Sequence, residues 1–164
     1  MTPLFAVDLQ IGDSAPLIAG SMQDGTTWKL ADLAGKKVVI LAFYPKANNI
    51  DSVRYMSGLR DRYLELAQKN VAIVGVSTDQ IAAQAGFAKE YQIAFPLLSD
   101  PQGEIVDSYA ARATVGVDDI KLREARYITF YIGLDGKISD IVDTKSVAAQ
   151  LAQIPVSLKK AGIE

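Results

Sequence analysis

Cysteine and histidine are both absent from the 164 residues of this chain. Without cysteine, the chain has no disulfide, no thiolate nucleophile and no sulfur ligand for a zinc finger or an iron–sulfur cluster. Without histidine, it has no catalytic triad that uses imidazole as the base. A metal site would have to consist of oxygen ligands alone, as magnesium and calcium sites do, and we predict neither a metal nor a cofactor.

Positive charge and long apolar runs are also scarce. The net charge is −2, which gives no reason to expect a nucleic-acid partner. No run approaches the roughly 18 apolar residues that a membrane span needs, so no membrane partner is predicted. The first 13 residues lack the basic start and apolar stretch of a signal peptide, which predicts a cytoplasmic protein.

Hydrophobic residues make up 49% of the chain and charged residues 22%, a balance typical of a globular protein. A chain of this length can bury its own core, and we find no internal repeat, low-complexity tract or linker. The composition therefore predicts a single domain over residues 1–164.

Strand and helix patterns alternate along the first two thirds of the sequence. Continuous apolar runs at 37–44 and 71–77 predict strands that are buried on both faces. Between them, apolar residues at three- and four-residue spacing predict a helix over 52–69. Residues 77–80 match a capping box, which predicts a second helix that continues to about residue 91.

The remaining patterns complete an α/β fold. Two β–α–β crossovers require parallel strands, while hairpins at both ends add antiparallel ones, which predicts a mixed central sheet with helices on both faces. The later expectations, in chain order, are an N-terminal hairpin at 16–30, an extended piece at 95–98, a turn at 100–103, a short helix at 104–109, a loop at 110–124, a hairpin at 127–143 and a helix at 146–158 that Pro155 interrupts.

Five short motifs narrow the choice among α/β folds. In order and at matching spacing, they resemble the bacterioferritin-comigratory, PrxQ-like group of the AhpC/TSA family of peroxiredoxins, over residues 16–151. The resemblance implies a thioredoxin-like fold of the peroxiredoxin type with an N-terminal β-hairpin. The motifs are Phe43-Tyr44-Pro45-Lys46, Gly58-Leu59-Arg60-Asp61, Gly75-Val76-Ser77-Thr78-Asp79, Phe95-Pro96-Leu97-Leu98-Ser99-Asp100 and Asp135-Gly136-Lys137-Ile138.

The resemblance also implies an activity, the thiol-dependent reduction of hydrogen peroxide and alkyl hydroperoxides with a thioredoxin-type reductant. In that family the first long strand leads into Pro-x-x-x-Thr-x-x-Cys, and the cysteine lies at a helix N-terminus that stabilises its thiolate. The thiolate attacks the peroxide and becomes a sulfenic acid. In many members a second cysteine, five residues later, then forms a disulfide.

Serine occupies both cysteine positions here. Pro45 is retained, Asn49 stands in place of the family's threonine, Ser52 stands at the peroxidatic position and Ser57 at the resolving position. A hydroxyl without an adjacent base is a weak nucleophile, and oxygen has no counterpart to the stepwise oxidation of sulfur. The chain is therefore predicted to be catalytically silent, with Ser52 serving as a helix N-cap or first-turn residue.

The family's arginine, which helps to hold the thiolate and the peroxide, lies nine residues before the hairpin glycine. That position is Tyr127 in this chain, and Arg126 comes one residue earlier. A one-residue bulge would bring Arg126 to Ser52, whereas a regular strand would leave it as an exposed charge. The sequence leaves both alternatives open.

Two other functions remain open beside a silent family member. One is a binding or regulatory module of the thioredoxin fold that uses the old pocket or a dimer face. The other is an active peroxiredoxin whose cysteines were replaced by serine, although Asn49, Asp51 and the displaced arginine favour natural divergence. The resemblance implies a monomer or a weak homodimer.

Overall fold

A computed structural model describes residues 8–164. Residues 1–7 lie outside the described part, and they belong to the N-terminal segment on which the prediction of a cytoplasmic protein rests. In the described part, no helix is long and apolar enough to cross a membrane. The strands are β1 Ala19–Ser21, β2 Thr27–Lys29, β3 Val38–Phe43, β4 Val71–Ser77, β5 Leu97–Ser99, β6 Arg112–Val115, β7 Ile120–Ala125, β8 Ile128–Ile132 and β9 Ile138–Asp143. The helices are a 3₁₀ turn Leu30–Asp32, α1 Ile50–Gln68, α2 Ile81–Tyr91, α3 Glu104–Ser108, α4 Val147–Ala152 and α5 Ile154–Lys160.

Seven of the strands form one mixed sheet in the order β2-β1-β5-β4-β3-β8-β9. The β3–β4 and β4–β5 pairs are parallel, as the two crossovers require, and the other pairs are antiparallel. The predicted mixed α/β sheet is confirmed, including the N-terminal hairpin of β1 and β2.

The continuous apolar run of β3 serves two cores, one on each face of the sheet. Val39, Leu41 and Phe43 pack on the face that also carries α3. The alternate residues of the strand, Val38 among them, pack on the face that carries α1, α2 and α5. A strand that is buried on both faces has no solvent-exposed face, which explains why its sequence does not alternate between apolar and polar residues.

Pro155 divides the C-terminal helix as predicted, because α4 ends before it and α5 begins one residue ahead of it. Proline is tolerated in the first turn of a helix, where its missing N–H has no partner to lose. The late hairpin and the turn at 100–103 are also confirmed, the latter by a hydrogen bond of 2.9 Å from the Gly103 N–H to the Asp100 carbonyl.

Two local predictions are wrong. Residues 110–124 are not a loop, because β6 and β7 pair there as a separate antiparallel hairpin. The capping box at 77–80 does not form either, since Ser77 ends β4 and its hydroxyl donates to the Asp79 carboxylate at 2.7 Å. The helix that follows begins at Ile81 without a side-chain cap.

Candidate functional site

The loop between β3 and α1 brings the predicted site residues to the carboxyl end of the sheet. Asn49 is the N-cap of α1, and its side-chain oxygen accepts a hydrogen bond of 2.9 Å from the Asp51 N–H. Asparagine is a favoured N-cap, so this residue has a structural role at the family's threonine position. The helix begins at Ile50, two residues earlier than predicted, and Ser52 lies in its first turn.

Ser52 is fully buried, with 0% of its surface exposed. Its hydroxyl oxygen lies 3.0 Å from the hydroxyl of Tyr127, and either group can donate the hydrogen bond. Tyr127, 8% exposed, lies just before β8. The Tyr127 side chain therefore lies against the serine, and both are buried.

Neither hydroxyl can act as a base at neutral pH. Burial raises the pKa of Tyr127, the hydrogen bond with Ser52 lowers it, and the charge of Asp51 raises it again, with a net upward shift. The phenol therefore stays protonated well above pH 7. Activating a serine requires a neighbouring base, and Tyr127 does not supply one.

Arg126 is engaged elsewhere. Its Nε lies 3.1 Å from both carboxylate oxygens of Asp143, and its Nη1 donates to the carbonyls of Ala110 at 2.8 Å and Arg112 at 3.0 Å. Successive side chains on extended backbone point to opposite sides, so the register that brings Tyr127 to Ser52 directs Arg126 away from it. The structure brings Tyr127, and not Arg126, to Ser52.

The loop that carries Pro45 is fixed at its next two residues. The Lys46 ammonium lies 3.0 Å from a carboxylate oxygen of Glu124 at the end of β7. The Ala47 N–H donates to the Asp79 carboxylate at 2.8 Å. These contacts hold the loop against two other segments.

Ser57 lies on the same continuous helix as Ser52. Five residues of α-helix rise about 7.5 Å along the axis. A disulfide spans Cα separations of at most about 6.8 Å. Cysteines at these two positions would therefore form a disulfide only if the first turns of α1 unwound.

A buried polar cluster behind the site escaped the sequence analysis. The Gln150 side chain accepts from the Thr129 hydroxyl at 2.9 Å and from the Tyr55 hydroxyl at 3.4 Å, and these two hydroxyls also contact each other. Its amide nitrogen donates to three backbone carbonyls, those of Tyr127, Val142 and Thr144. Gln150 thus fixes the backbone at Tyr127, the residue that contacts Ser52.

The site therefore has two hydroxyls and neither a thiol nor a base in contact with them. Within residues 8–164, no cluster of three or more carboxylates is arranged to hold a metal ion. The arrangement can bury and hydrogen-bond Ser52, and it lacks the groups that would make this residue a nucleophile.

Comparison with known proteins places this fold in a family. The family model described as AhpC/TSA matches residues 11–141. Peroxiredoxin Bcp of Escherichia coli is 32% identical over 135 residues, which cover 82% of this chain and 86% of that protein.

Solved structures give the same result. The structure of peroxidoxin BcpB from Mycobacterium tuberculosis matches with a TM-score of 0.81 and 28% identity, over 92% of this chain and 97% of that one. A cysteine-to-serine mutant of PrxQ from Xylella fastidiosa matches with a TM-score of 0.85 at 21% identity, over 95% of this chain and 99% of that one, a likeness of fold. With the family match covering most of its length, this chain belongs to the AhpC/TSA family of peroxiredoxins.

Proposed function

We propose that this chain is a peroxiredoxin-family protein that does not reduce peroxides and acts without catalysis. The observation that carries the proposal is the contact between Ser52 and Tyr127. It replaces a thiol and a cation, at the two positions where the family resemblance expects them, with two neutral hydroxyls 3.0 Å apart.

Peroxide reduction needs a group that is oxidised when the O–O bond breaks. A thiolate can take that role because sulfur forms a sulfenic acid, and a serine hydroxyl has no equivalent state. The chain contains no cysteine anywhere, so no other thiol can replace the missing one.

The residues around Ser52 also bear on how the chain came to have serine at the peroxidatic position. A deliberate exchange of cysteine for serine would leave the rest of the pocket unchanged. Here Asn49 caps the helix and Tyr127 fills the space beside the serine, so several residues differ together. This supports natural loss of activity over an active enzyme with replaced cysteines.

A binding or regulatory role is the second candidate. The fold and its two hydrophobic cores are complete although the chain has no thiol for peroxide reduction. This supports a function that depends on the shape of the surface. The cytoplasmic location, and a monomeric or weakly dimeric state, remain predictions.

A coupled assay tests the proposal. Purified protein with thioredoxin, thioredoxin reductase and hydrogen peroxide should show no turnover above background, and a Ser52→Ala variant should give the same rate. An active peroxiredoxin in the same mixture serves as the positive control. Saturable peroxide consumption that the Ser52→Ala variant loses would overturn the proposal.

A further inference from the structure

A cavity of about 540 Å³ lies between the second half of α1 and the helix α5. That volume is in the range of small-molecule binding sites. Arg62, the first lining residue on α1, follows Ser52 by ten residues, which is about 15 Å of helix. The cavity is therefore separate from the Ser52 site, and its occupancy does not depend on peroxide chemistry.

The inner wall of the cavity is apolar and belongs to the hydrophobic core. It is formed by Leu66 of α1 and by Ile154 and Leu158 of α5, which are only 5%, 2% and 4% exposed. Ile154 and Leu158 are four residues apart, which places them on one face of α5. All three pack in the core on the α1 face of the sheet. Because the core holds this wall in place, the cavity can receive an apolar group without rearrangement.

The charged side chains that line the cavity carry one more positive than negative charge. Three are cations, Arg62, Lys69 and Lys159, and two are anions, Glu65 and Glu164. The Glu65 carboxylate lies 3.8 Å from the Lys69 ammonium, so these two charges already pair. Among the described residues, neither Arg62 nor Lys159 forms an ion pair. The surplus charge therefore favours a ligand with a single negative charge.

Arg62 has the donor geometry that suits a carboxylate. Its Nη1 donates to the Gly58 carbonyl at 2.7 Å, four residues earlier on α1, whereas its Nε and Nη2 donate to no acceptor within residues 8–164. These two N–H groups form one edge of the guanidinium, and such an edge binds both oxygens of a carboxylate. Arg112 makes that pairing in this chain, since its Nε and Nη2 bind the two carboxylate oxygens of Asp107.

We propose that this cavity binds an amphipathic monocarboxylate of the fatty-acid type. The carboxylate accepts from Nε and Nη2 of Arg62 and lies near the Lys159 ammonium, while the hydrocarbon chain covers the apolar wall. A cationic amphiphile would leave both of these side chains without a partner, and a dianionic head group would meet the two acidic side chains of the lining. An uncharged amphiphile would bury the same apolar surface without gaining charge-assisted hydrogen bonds.

Isothermal titration calorimetry with three probes that share a ten-carbon chain tests the choice of ligand. Decanoate, kept below its micellar concentration, should bind saturably with one molecule per chain. Decanol and decyltrimethylammonium should bind at least about tenfold more weakly, because neither can accept a charge-assisted pair of hydrogen bonds from Arg62. Either the absence of saturable decanoate binding or an equal affinity for decanol refutes the proposal.

Variants of the two unpaired cations test where the carboxylate lies. Arg62→Met should weaken decanoate binding about tenfold. Lys159→Gln should weaken it about threefold, as expected for an exposed charge, and it removes a side chain that makes no hydrogen bond or ion pair within the described residues, so the fold should be kept. Arg54→Met is the matched control, because Arg54 lies on α1 outside the cavity, and it should bind decanoate like the wild type. If Lys159→Gln and a folded Arg62→Met both bind decanoate as tightly as the wild type, the proposal is wrong.

Methyl NMR spectra locate the hydrocarbon chain. Decanoate should shift the methyl signals of Leu66, Ile154 and Leu158 and leave the signal of Ile50, at the Ser52 end of α1, unchanged. Shifts at Ile50 without shifts at the three wall residues would place the ligand at the other end of the helix and contradict the proposal.

Discussion

A double substitution, Ser52→Cys/Tyr127→Arg, should reduce peroxide about tenfold faster than Ser52→Cys alone. In the single variant the new thiol would be buried beside Tyr127 and next to Asp51 along the chain. Burial and the neighbouring carboxylate both raise a thiol pKa and oppose the helix N-terminus, which lowers it. The single variant should therefore be alkylated and oxidised slowly.

The arginine changes that balance. An adjacent cation lowers the pKa of an acid by about one to three units, which increases the thiolate at neutral pH by about ten- to a thousandfold. The nucleophilicity of a thiolate falls as its pKa falls, with a Brønsted coefficient of about 0.4–0.5. On a logarithmic scale, the reaction rate therefore gains roughly half as much as the thiolate concentration does. A net gain of about tenfold follows for a shift of two units.

Stopped-flow measurement of peroxide loss, together with the pH dependence of iodoacetamide alkylation, checks this prediction. Ser52→Cys/Tyr127→Phe is the matched control, because it removes the tyrosine hydroxyl without adding a cation, and it should show no comparable gain. If the single Ser52→Cys variant were already as fast as an active peroxiredoxin, the idea that the pocket has diverged would be wrong. Deliberate replacement of the cysteines would then be the better explanation.

The largest loss of stability is expected from Gln150→Leu. Gln150 is fully buried and bonds two hydroxyls and three backbone carbonyls. Each buried polar group left without a partner costs about 1–3 kcal/mol, and some of these groups keep other partners. The free energy of unfolding should fall by about 3 kcal/mol or more, measured by urea denaturation.

Gln153→Leu is the control for this loss. Gln153 follows α4, is partly buried, and its side chain makes no hydrogen bond within the described residues. Its replacement should change stability by less than about 0.5 kcal/mol. Should the two variants unfold at the same urea concentration, Gln150 would not hold the site together.

The fold was predictable wherever a pattern reflects burial on both faces or a strict backbone requirement. The apolar run of β3 indicated a central strand because each face of the sheet has its own core. Pro155 indicated a break because its ring restricts where a helix can continue. The hairpin at 110–124 was missed because its strands are mostly exposed and the apolar–charged alternation from Ile120 to Arg123 is only four residues long.

The sequence indicates which positions belong to the candidate site more readily than it indicates which side chains touch each other there. Motif spacing marked residue 52 as the peroxidatic position and residue 127 as the family's arginine position, and Arg126 was the candidate for that role. In the structure the Tyr127 hydroxyl contacts Ser52, and Arg126 pairs with Asp143. The sequence could not decide which of residues 126 and 127 turns towards α1, because a bulge is set by the neighbouring strands. Gln150 was missed because its partners lie on α1 and in and around β8 and β9.

One measurement tests the absence of peroxide chemistry without assuming any reductant. The protein is mixed with a stoichiometric amount of hydrogen peroxide or cumene hydroperoxide, and peroxide loss is followed in a single turnover while the peptide containing Ser52 is weighed by mass spectrometry. Our account predicts that the peroxide concentration follows the protein-free control and that the peptide mass is unchanged. Rapid loss of one equivalent of peroxide, abolished by Ser52→Ala, would contradict it.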